Sequence, residues 1–80
     1  MAQKTVVLER NTITGWYGLR MGDGTYESTS FPITRRQGDV LPIVARAHPG
    51  AQIGVKSEDI GVNCILAFGP VVWMRPGAYR

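Results

Sequence analysis

The chain has 80 residues, of which 44% are hydrophobic and 19% are charged, and its formal net charge is +3. This length predicts a single domain over residues 1–80, and the hydrophobic share excludes a disordered chain. The apolar run at residues 64–74 is interrupted by Gly69 and Pro70 and is too short to span a bilayer. Because Cys64 is the single cysteine, no internal disulfide can form. We therefore expect a soluble, cytoplasmic protein that does not associate with a membrane.

The N-terminal part of the chain predicts three strands. Residues 4–10 (KTVVLER) are rich in β-branched side chains. Residues 14–21 and 25–31 flank Gly22-Asp23-Gly24, the best turn signal in the chain, so the two segments predict a β-hairpin. Alternation along the first hairpin strand places Trp16, Gly18 and Arg20 on one face and Tyr17, Leu19 and Met21 on the other.

The next segment predicts a helix, for which two starts compete. Residues 34–37 (TRRQ) match a capping box, but a helix from there would hold Pro42 in its interior, at a cost of about 3 kcal/mol. Asp39 as N-cap places Pro42 in the first turn. The sequence therefore predicts a helix over residues 39–48, and a separate 3₁₀ turn before it stays open. The predicted buried face has the i, i+3, i+4 and i+7 spacing and comprises Val40, Ile43, Val44 and Ala47.

The C-terminal part predicts further strands at residues 51–58 and 62–68. The second of these is apolar on both faces, which favours a central place in the sheet. Residues 71–74 are either its continuation or a short edge strand, and residues 75–80 are predicted to be a frayed tail. The order β-β-β-α-β-β predicts an α+β fold in which one helix packs on one face of a small antiparallel sheet of about five strands. The other face would then be polar, dimerised or a binding surface.

Motifs for catalysis or cofactor binding are not found in the sequence. Gly22 and Gly24 lack the spacing of a phosphate-binding loop, and one cysteine with one histidine does not make a zinc site. His48 is interpreted as the end of the helix rather than as a base that activates Cys64. We therefore predict no enzymatic activity, no metal and no cofactor.

The side chains that suit contact with a partner are aromatic residues and arginines. Seven of the nine basic residues are arginine, which forms bidentate contacts and stacks on aromatic rings, and tryptophan and arginine are frequent at interface hot spots. The predicted partner-binding residues are Trp16, Arg20, Arg35, Arg36 and Arg46. Arg35, Arg36 and Arg46 would form one patch. The alternatives are that Trp16 only covers the sheet and that the arginines are solvated surface.

Two other functions stay open. Arginine interleaved with aromatic residues on a sheet face is typical of proteins that bind single-stranded nucleic acid. The chain has only two lysines, Lys4 and Lys56, and no basic run longer than two residues, which speaks against this function. A self-associating phage structural component is the further alternative, and the oligomeric state is predicted to be monomer or homodimer.

Three segments carry a resemblance to a known group of proteins. They are KTVVLER, GLRMGDGTY with its Asp-Gly turn, and VNCILAFGP after the helix and its HPG turn. In size and plan the chain resembles the small anti-CRISPR proteins of phages and mobile elements that inhibit type I CRISPR-Cas systems. The resemblance implies a non-enzymatic inhibitor that binds the crRNA-guided Cascade complex in the host bacterial cell and prevents target DNA binding.

The basic charge of this chain departs from the acidic, DNA-mimicking members of that group. An arginine-rich inhibitor would instead bind acidic or polar faces of Cas subunits of Cascade. Direct contact with guide RNA or target DNA would be secondary. The group shares few sequence patterns, so the resemblance assigns no residue of this chain a role.

Overall fold

A computed structural model describes residues 4–61, 67 and 69–75. Its elements, in chain order, are β1 (Thr5–Asn11), β2 (Trp16–Met21), β3 (Tyr26–Pro32), α1 (Gln37–Ala47), β4 (Gln52–Lys56) and β5 (Val71–Trp73). The five strands form one sheet in the order β3-β2-β1-β4-β5. The predicted α+β class, with five strands and one helix, is confirmed.

The sheet is mixed, so the prediction of an antiparallel sheet is wrong for one pair of strands. β1 pairs with β2, β2 with β3, and β4 with β5 in antiparallel fashion. β4 instead runs parallel to β1, with Val6 beside Ile53 and Leu8 beside Val55. A helical crossover lets a chain return in the same direction, as α1 does between β3 and β4. The turn signals in the sequence report only neighbouring strands and do not show this pairing.

The late part of the chain agrees with one of the two alternatives for residues 71–74. Val71–Trp73 forms the short strand β5 at one end of the sheet. The strand predicted over residues 62–68, with Cys64 and Phe68, lies outside the described residues except for Ala67. The tail beyond Arg75 also lies outside them.

The turn between β2 and β3 forms where the sequence predicts it. The Gly24 N–H donates to the Met21 carbonyl over 2.9 Å, and the Thr25 N–H donates to Asp23 Oδ1 over 2.9 Å. Gly24 has φ of +92°, a conformation that favours glycine. The hydrogen bonds from Thr25 lower the pKa of the Asp23 carboxyl. The predicted hairpin is therefore confirmed.

The helix begins earlier than predicted. α1 starts at Gln37 with Arg36 as N-cap, whereas Asp39 lies in the first turn and is not the cap. Pro42 consequently lies inside the helix, against the prediction. Helices in proteins are stabilised mainly by packing of an apolar face, and this packing offsets the local cost of Pro42. The end is as predicted: His48 is the C-cap, and its N–H donates to the Val44 carbonyl over 3.1 Å.

The hydrophobic core lies between α1 and one face of the sheet. Val40 and Val44 are buried as predicted, but Leu41 is the third buried helix residue. Ile43 is only half-buried and Ala47 is exposed, which corrects the predicted buried face. The core residues are Val6, Leu8, Tyr17, Leu19, Val40, Leu41, Val44, Ile53 and Val55. Among the described residues, no helix is long and apolar enough to cross a membrane.

Candidate functional site

The sheet face opposite α1 carries a row of side chains that crosses all five strands. Tyr26, Arg20, Val7, Gly54 and Trp73 lie side by side in register, one from each strand. Trp16 lies on the same face, four residues before Arg20 in β2. We call this surface the aromatic face and define it by Trp16, Arg20, Tyr26 and Trp73. The alternation predicted for β2 is confirmed, because Tyr17 and Leu19 enter the core on the other side.

Two strand glycines let the aromatic rings lie close to the sheet. A Cβ atom on Gly18 would overlap the Tyr26 ring and its hydroxyl. A Cβ atom on Gly54 would lie 2.6 Å from Val71 Cγ1 and 2.7 Å from Trp73 Cε3. Glycine inside a strand often marks such a close approach. The rings of Tyr26 and Trp73 therefore each pack on a glycine of the neighbouring strand.

A buried carboxylate and an arginine form the middle of the aromatic face. Glu9 is only 2% exposed, and its Oε1 lies 3.4 Å from Nη2 of Arg20. The Arg20 guanidinium lies 4.8 Å from the centroid of the Tyr26 ring. Asn11 Nδ2 donates to the Tyr26 hydroxyl over 3.1 Å. With its side chain 20% exposed, Arg20 orders this face internally and offers only part of its surface to a partner.

The accessible part of the aromatic face consists mainly of two tryptophans. Trp16 is 42% exposed and Trp73 is 44% exposed. From the sheet register, the two residues lie four positions apart along the strands and three strands apart, which corresponds to roughly 20 Å between their Cα atoms. The ordered Glu9–Arg20 pair lies between them. Exposed tryptophans are frequent in protein-binding surfaces.

A second candidate surface is a cleft on the helix side of the sheet, where β1 and β4 end and α1 begins. Its volume is about 460 Å³. We call it the basic cleft and define it by its four basic residues, Arg10, Arg35, Arg36 and Lys56. Among the described lining residues, Asp59 is the only carboxylate. The cleft therefore carries an excess of positive charge.

The basic side chains differ in how firmly they are held. Lys56 Nζ donates to the Gly69 carbonyl over 2.9 Å, and the Arg35 guanidinium lies 5.3 Å from the Phe31 ring centroid. Nη1 of Arg10 lies 3.7 Å from Oδ2 of Asp59, too far for a hydrogen bond.

A buried tyrosine supports the basic cleft from below. The Tyr17 hydroxyl donates to the Arg35 carbonyl over 2.8 Å and so fixes the loop before α1 to β2. Burial raises the pKa of the Tyr17 hydroxyl; the positive charge of Arg10 opposes this effect and the negative charge of Asp59 adds to it. The hydroxyl is therefore neutral at physiological pH and serves as a donor.

The structure distributes the predicted contact residues over three regions. Trp16 and Arg20 lie on the aromatic face, and Arg35 and Arg36 line the basic cleft. Arg46 is exposed in the last turn of α1, about 15 Å along the helix from Arg36 at 1.5 Å per residue. The prediction that Arg46 forms one patch with Arg35 and Arg36 is therefore wrong, because the helix separates them.

Four residues of these surfaces were not among the predicted contacts: Tyr26, Trp73, Arg10 and Lys56. Trp73 reaches the aromatic face through the pairing of β5 with β4 beside Gly54. Arg10 and Lys56 meet at the basic cleft because β1 and β4 are parallel neighbours. The sequence signals for the close aromatic contacts were Gly18 and Gly54, each of which lies within a predicted strand.

Comparison of the chain with protein-family models, with curated proteins and with solved structures found no match. Within the part of the chain that the structure describes, no three histidine, cysteine, aspartate or glutamate side chains are grouped so that they could hold a metal ion.

Proposed function

We propose that this protein is a non-enzymatic inhibitor of a type I CRISPR-Cas system, which binds Cascade through the aromatic face and so prevents binding of target DNA. The observation that carries the binding role is the exposure of Trp16 and Trp73 on either side of the Glu9–Arg20 pair. A partly exposed tryptophan buries a large apolar area when a partner docks, and tryptophan is enriched at interface hot spots.

The packing of three side chains on the aromatic face supports a role in binding. Tyr26 and Trp73 are packed on Gly18 and Gly54, and Arg20 is held by Glu9 and by the Tyr26 ring. Side chains that are already ordered lose little conformational entropy when a partner docks. A small domain can therefore bind with useful affinity through few anchors.

The choice of Cascade as the target rests on the resemblance in size and α+β plan to small anti-CRISPR proteins. The net charge of +3 favours approach to acidic or polar faces of a Cas subunit. In this proposal the protein acts in the cytoplasm of the host bacterium, as a monomer or homodimer.

The proposal is tested by a gel shift with labelled target DNA and three samples: the protein alone, Cascade alone, and Cascade preincubated with the protein. We expect the protein alone to leave DNA unshifted and to abolish the shift caused by Cascade. A Cascade shift that persists at saturating protein, across cognate subtypes, would contradict the proposal. The variant with Arg35→Glu and Arg36→Glu tests the predicted contacts outside the aromatic face: unchanged inhibition would show that these two arginines do not contact Cascade.

Binding to nucleic acid is the second candidate function, and the basic cleft favours it. Four basic residues and one carboxylate line it, and an excess of positive charge is what phosphates favour. If this is the function, the protein alone shifts labelled DNA, and the shift is lost as the salt concentration rises because bound counterions are released. The same Arg35→Glu and Arg36→Glu variant would then lose DNA binding.

A further inference from the structure

We propose that the basic cleft binds the phosphate group of a ligand of nucleotide size. The cleft opens on the helix side of the sheet, whereas the aromatic face lies on the other side. The inference is therefore independent of the proposed inhibition of Cascade. It concerns a small-ligand site rather than a docking surface for a protein.

The charge of the cleft is the first argument. Arg10, Arg35, Arg36 and Lys56 line it together with a single described carboxylate, Asp59. Arginine presents several donors in a fixed plane that matches the oxygens of a phosphate. The lining therefore has a net positive charge, which favours an anionic ligand.

The state of Arg10 is the second argument. Its side chain is 41% exposed, and the residue lines the cleft. Its distance of 3.7 Å from Asp59 leaves Nη1 able to donate elsewhere. Nη1 of Arg10 can therefore donate to a phosphate oxygen in the cleft.

The beginning of α1 adds donors to the same place. Gln37, the first helical residue, lines the cleft, and its N-cap Arg36 provides no side-chain cap. The first N–H groups of a helix have no partner within the helix and favour negative charge. These amides would complement the four cations, which remain the main attraction.

The floor of the cleft indicates what the phosphate is attached to. Val55, Val72 and Met74 form an apolar surface beside the basic rim, and Val72 is 52% exposed. A volume of about 460 Å³ falls within the range of small-molecule sites, about 300–1,000 Å³. Free phosphate would leave the apolar floor uncovered, whereas a nucleobase or ribose would pack on it. A nucleoside monophosphate therefore fits both halves of the cleft.

The test is a titration of the ¹⁵N-labelled protein followed by NMR, with adenosine 5′-monophosphate as the probe and adenosine as the uncharged control. We expect saturable shifts of the Gln37, Gly38 and Lys56 amides with the monophosphate only. Arg36→Gln should weaken the affinity by about tenfold or more, the usual effect of losing one charged hydrogen bond. Arg46→Gln removes the same charge from the other end of α1 and should change the affinity by less than about twofold.

Three results would overturn the inference. They are equal affinity for adenosine, equal weakening by both arginine variants, or no shifts at these amides at millimolar monophosphate. A short oligonucleotide, titrated once with and once without a 5′-phosphate, then shows whether the bound phosphate belongs to a nucleic acid or to a free nucleotide. Tighter binding of the phosphorylated oligonucleotide than of the mononucleotide assigns the cleft to a nucleic-acid end, and equal or weaker binding assigns it to free nucleotides.

Discussion

At the scale of single residues, Gly18 and Tyr26 show how a missing side chain shapes a surface. The Tyr26 ring occupies the space that a Cβ atom on Gly18 would need. From there its hydroxyl accepts a hydrogen bond from Asn11 and its ring contacts the Arg20 guanidinium. One glycine thus permits a contact that connects three strands of the sheet.

We predict that Gly18→Ala lowers the free energy of unfolding by about 1–3 kcal/mol, because the added methyl group forces Tyr26 away from Asn11 and Arg20. Urea denaturation measures the change. Gly38→Ala is the matched control: nothing lies within 4 Å of its Cβ position, and it should stabilise the protein by about 0.5–1 kcal/mol through helix propensity. Equal stability of Gly18→Ala and the wild type would contradict the assigned contact.

We also predict that Arg20→Ala lowers the free energy of unfolding by about 3 kcal/mol, since it leaves the buried Glu9 carboxylate without this counter-charge. Arg46→Ala removes an arginine from an exposed position and should stay within about 0.5 kcal/mol. Denaturant unfolding of both variants compares them directly. A difference below about 1 kcal/mol would mean that Arg20 does not hold the face together.

At the scale of elements, Tyr17 connects β2 to the loop before α1. Its ring lies in the core and its hydroxyl donates to the Arg35 carbonyl. Because burial raises the pKa of Tyr17 above its ordinary value near 10, the folded state holds this proton more tightly than the unfolded state. The resulting stabilisation is fully present below the unfolded pKa and is lost as the pH rises through the folded pKa.

We therefore predict that the wild type loses stability above about pH 10 more steeply than Tyr17→Phe. The variant should also be about 0.5–1.5 kcal/mol less stable at neutral pH, because it lacks the hydrogen bond to Arg35. Thermal unfolding from pH 7 to 11 gives both results. Parallel alkaline slopes for the two proteins would show that Tyr17 does not contribute to the pH dependence.

Pro42 lies inside α1 although proline disfavours a helix interior. We predict that Pro42→Ala raises the free energy of unfolding by about 1–2 kcal/mol, since alanine supplies the N–H that a helix interior needs. Pro49→Ala, just beyond the helix, is the control and should give no gain, because proline there restricts the unfolded chain. Urea unfolding of the two variants tests this, and destabilisation by Pro42→Ala would contradict it.

The elements differ in how far the sequence predicted them. The hairpin is set by the Gly22-Asp23-Gly24 turn and by alternation in β2, both of which are local signals, and it formed as predicted. The helix end at His48 is also local. The helix start was misplaced because the first turn forms upstream of Asp39, where the Arg36 carbonyl accepts hydrogen bonds from the Asp39 and Val40 N–H groups. The placement of Pro42 in the sequence does not predict this turn.

At the scale of the whole molecule, the two candidate surfaces depend on long-range pairing. Trp73 joins the aromatic face because β5 lies beside β4, and Arg10 meets Lys56 because β4 runs parallel to β1. Residue type and alternation placed Trp16 correctly, outside the core. They did not show that Arg20 would be held by a buried Glu9, since the partner lies on another strand.

The mixed sheet also separates the two surfaces. Helix α1 and the basic cleft lie on one side, and the aromatic face lies on the other. A partner protein on the aromatic face and a phosphate ligand in the cleft can therefore bind at the same time. Charge changes in the cleft should leave contacts of the aromatic face intact.

The most direct test of the central claim is the affinity of Cascade for two variants of this protein, measured by biolayer interferometry. Trp16→Ala removes an exposed anchor of the aromatic face, and Val72→Ala removes exposed apolar surface on the helix side. We predict that Trp16→Ala weakens binding by about 30-fold or more, as for an interface hot spot, and that Val72→Ala changes it by less than about twofold. Equal affinities of the two folded variants would contradict docking through the aromatic face.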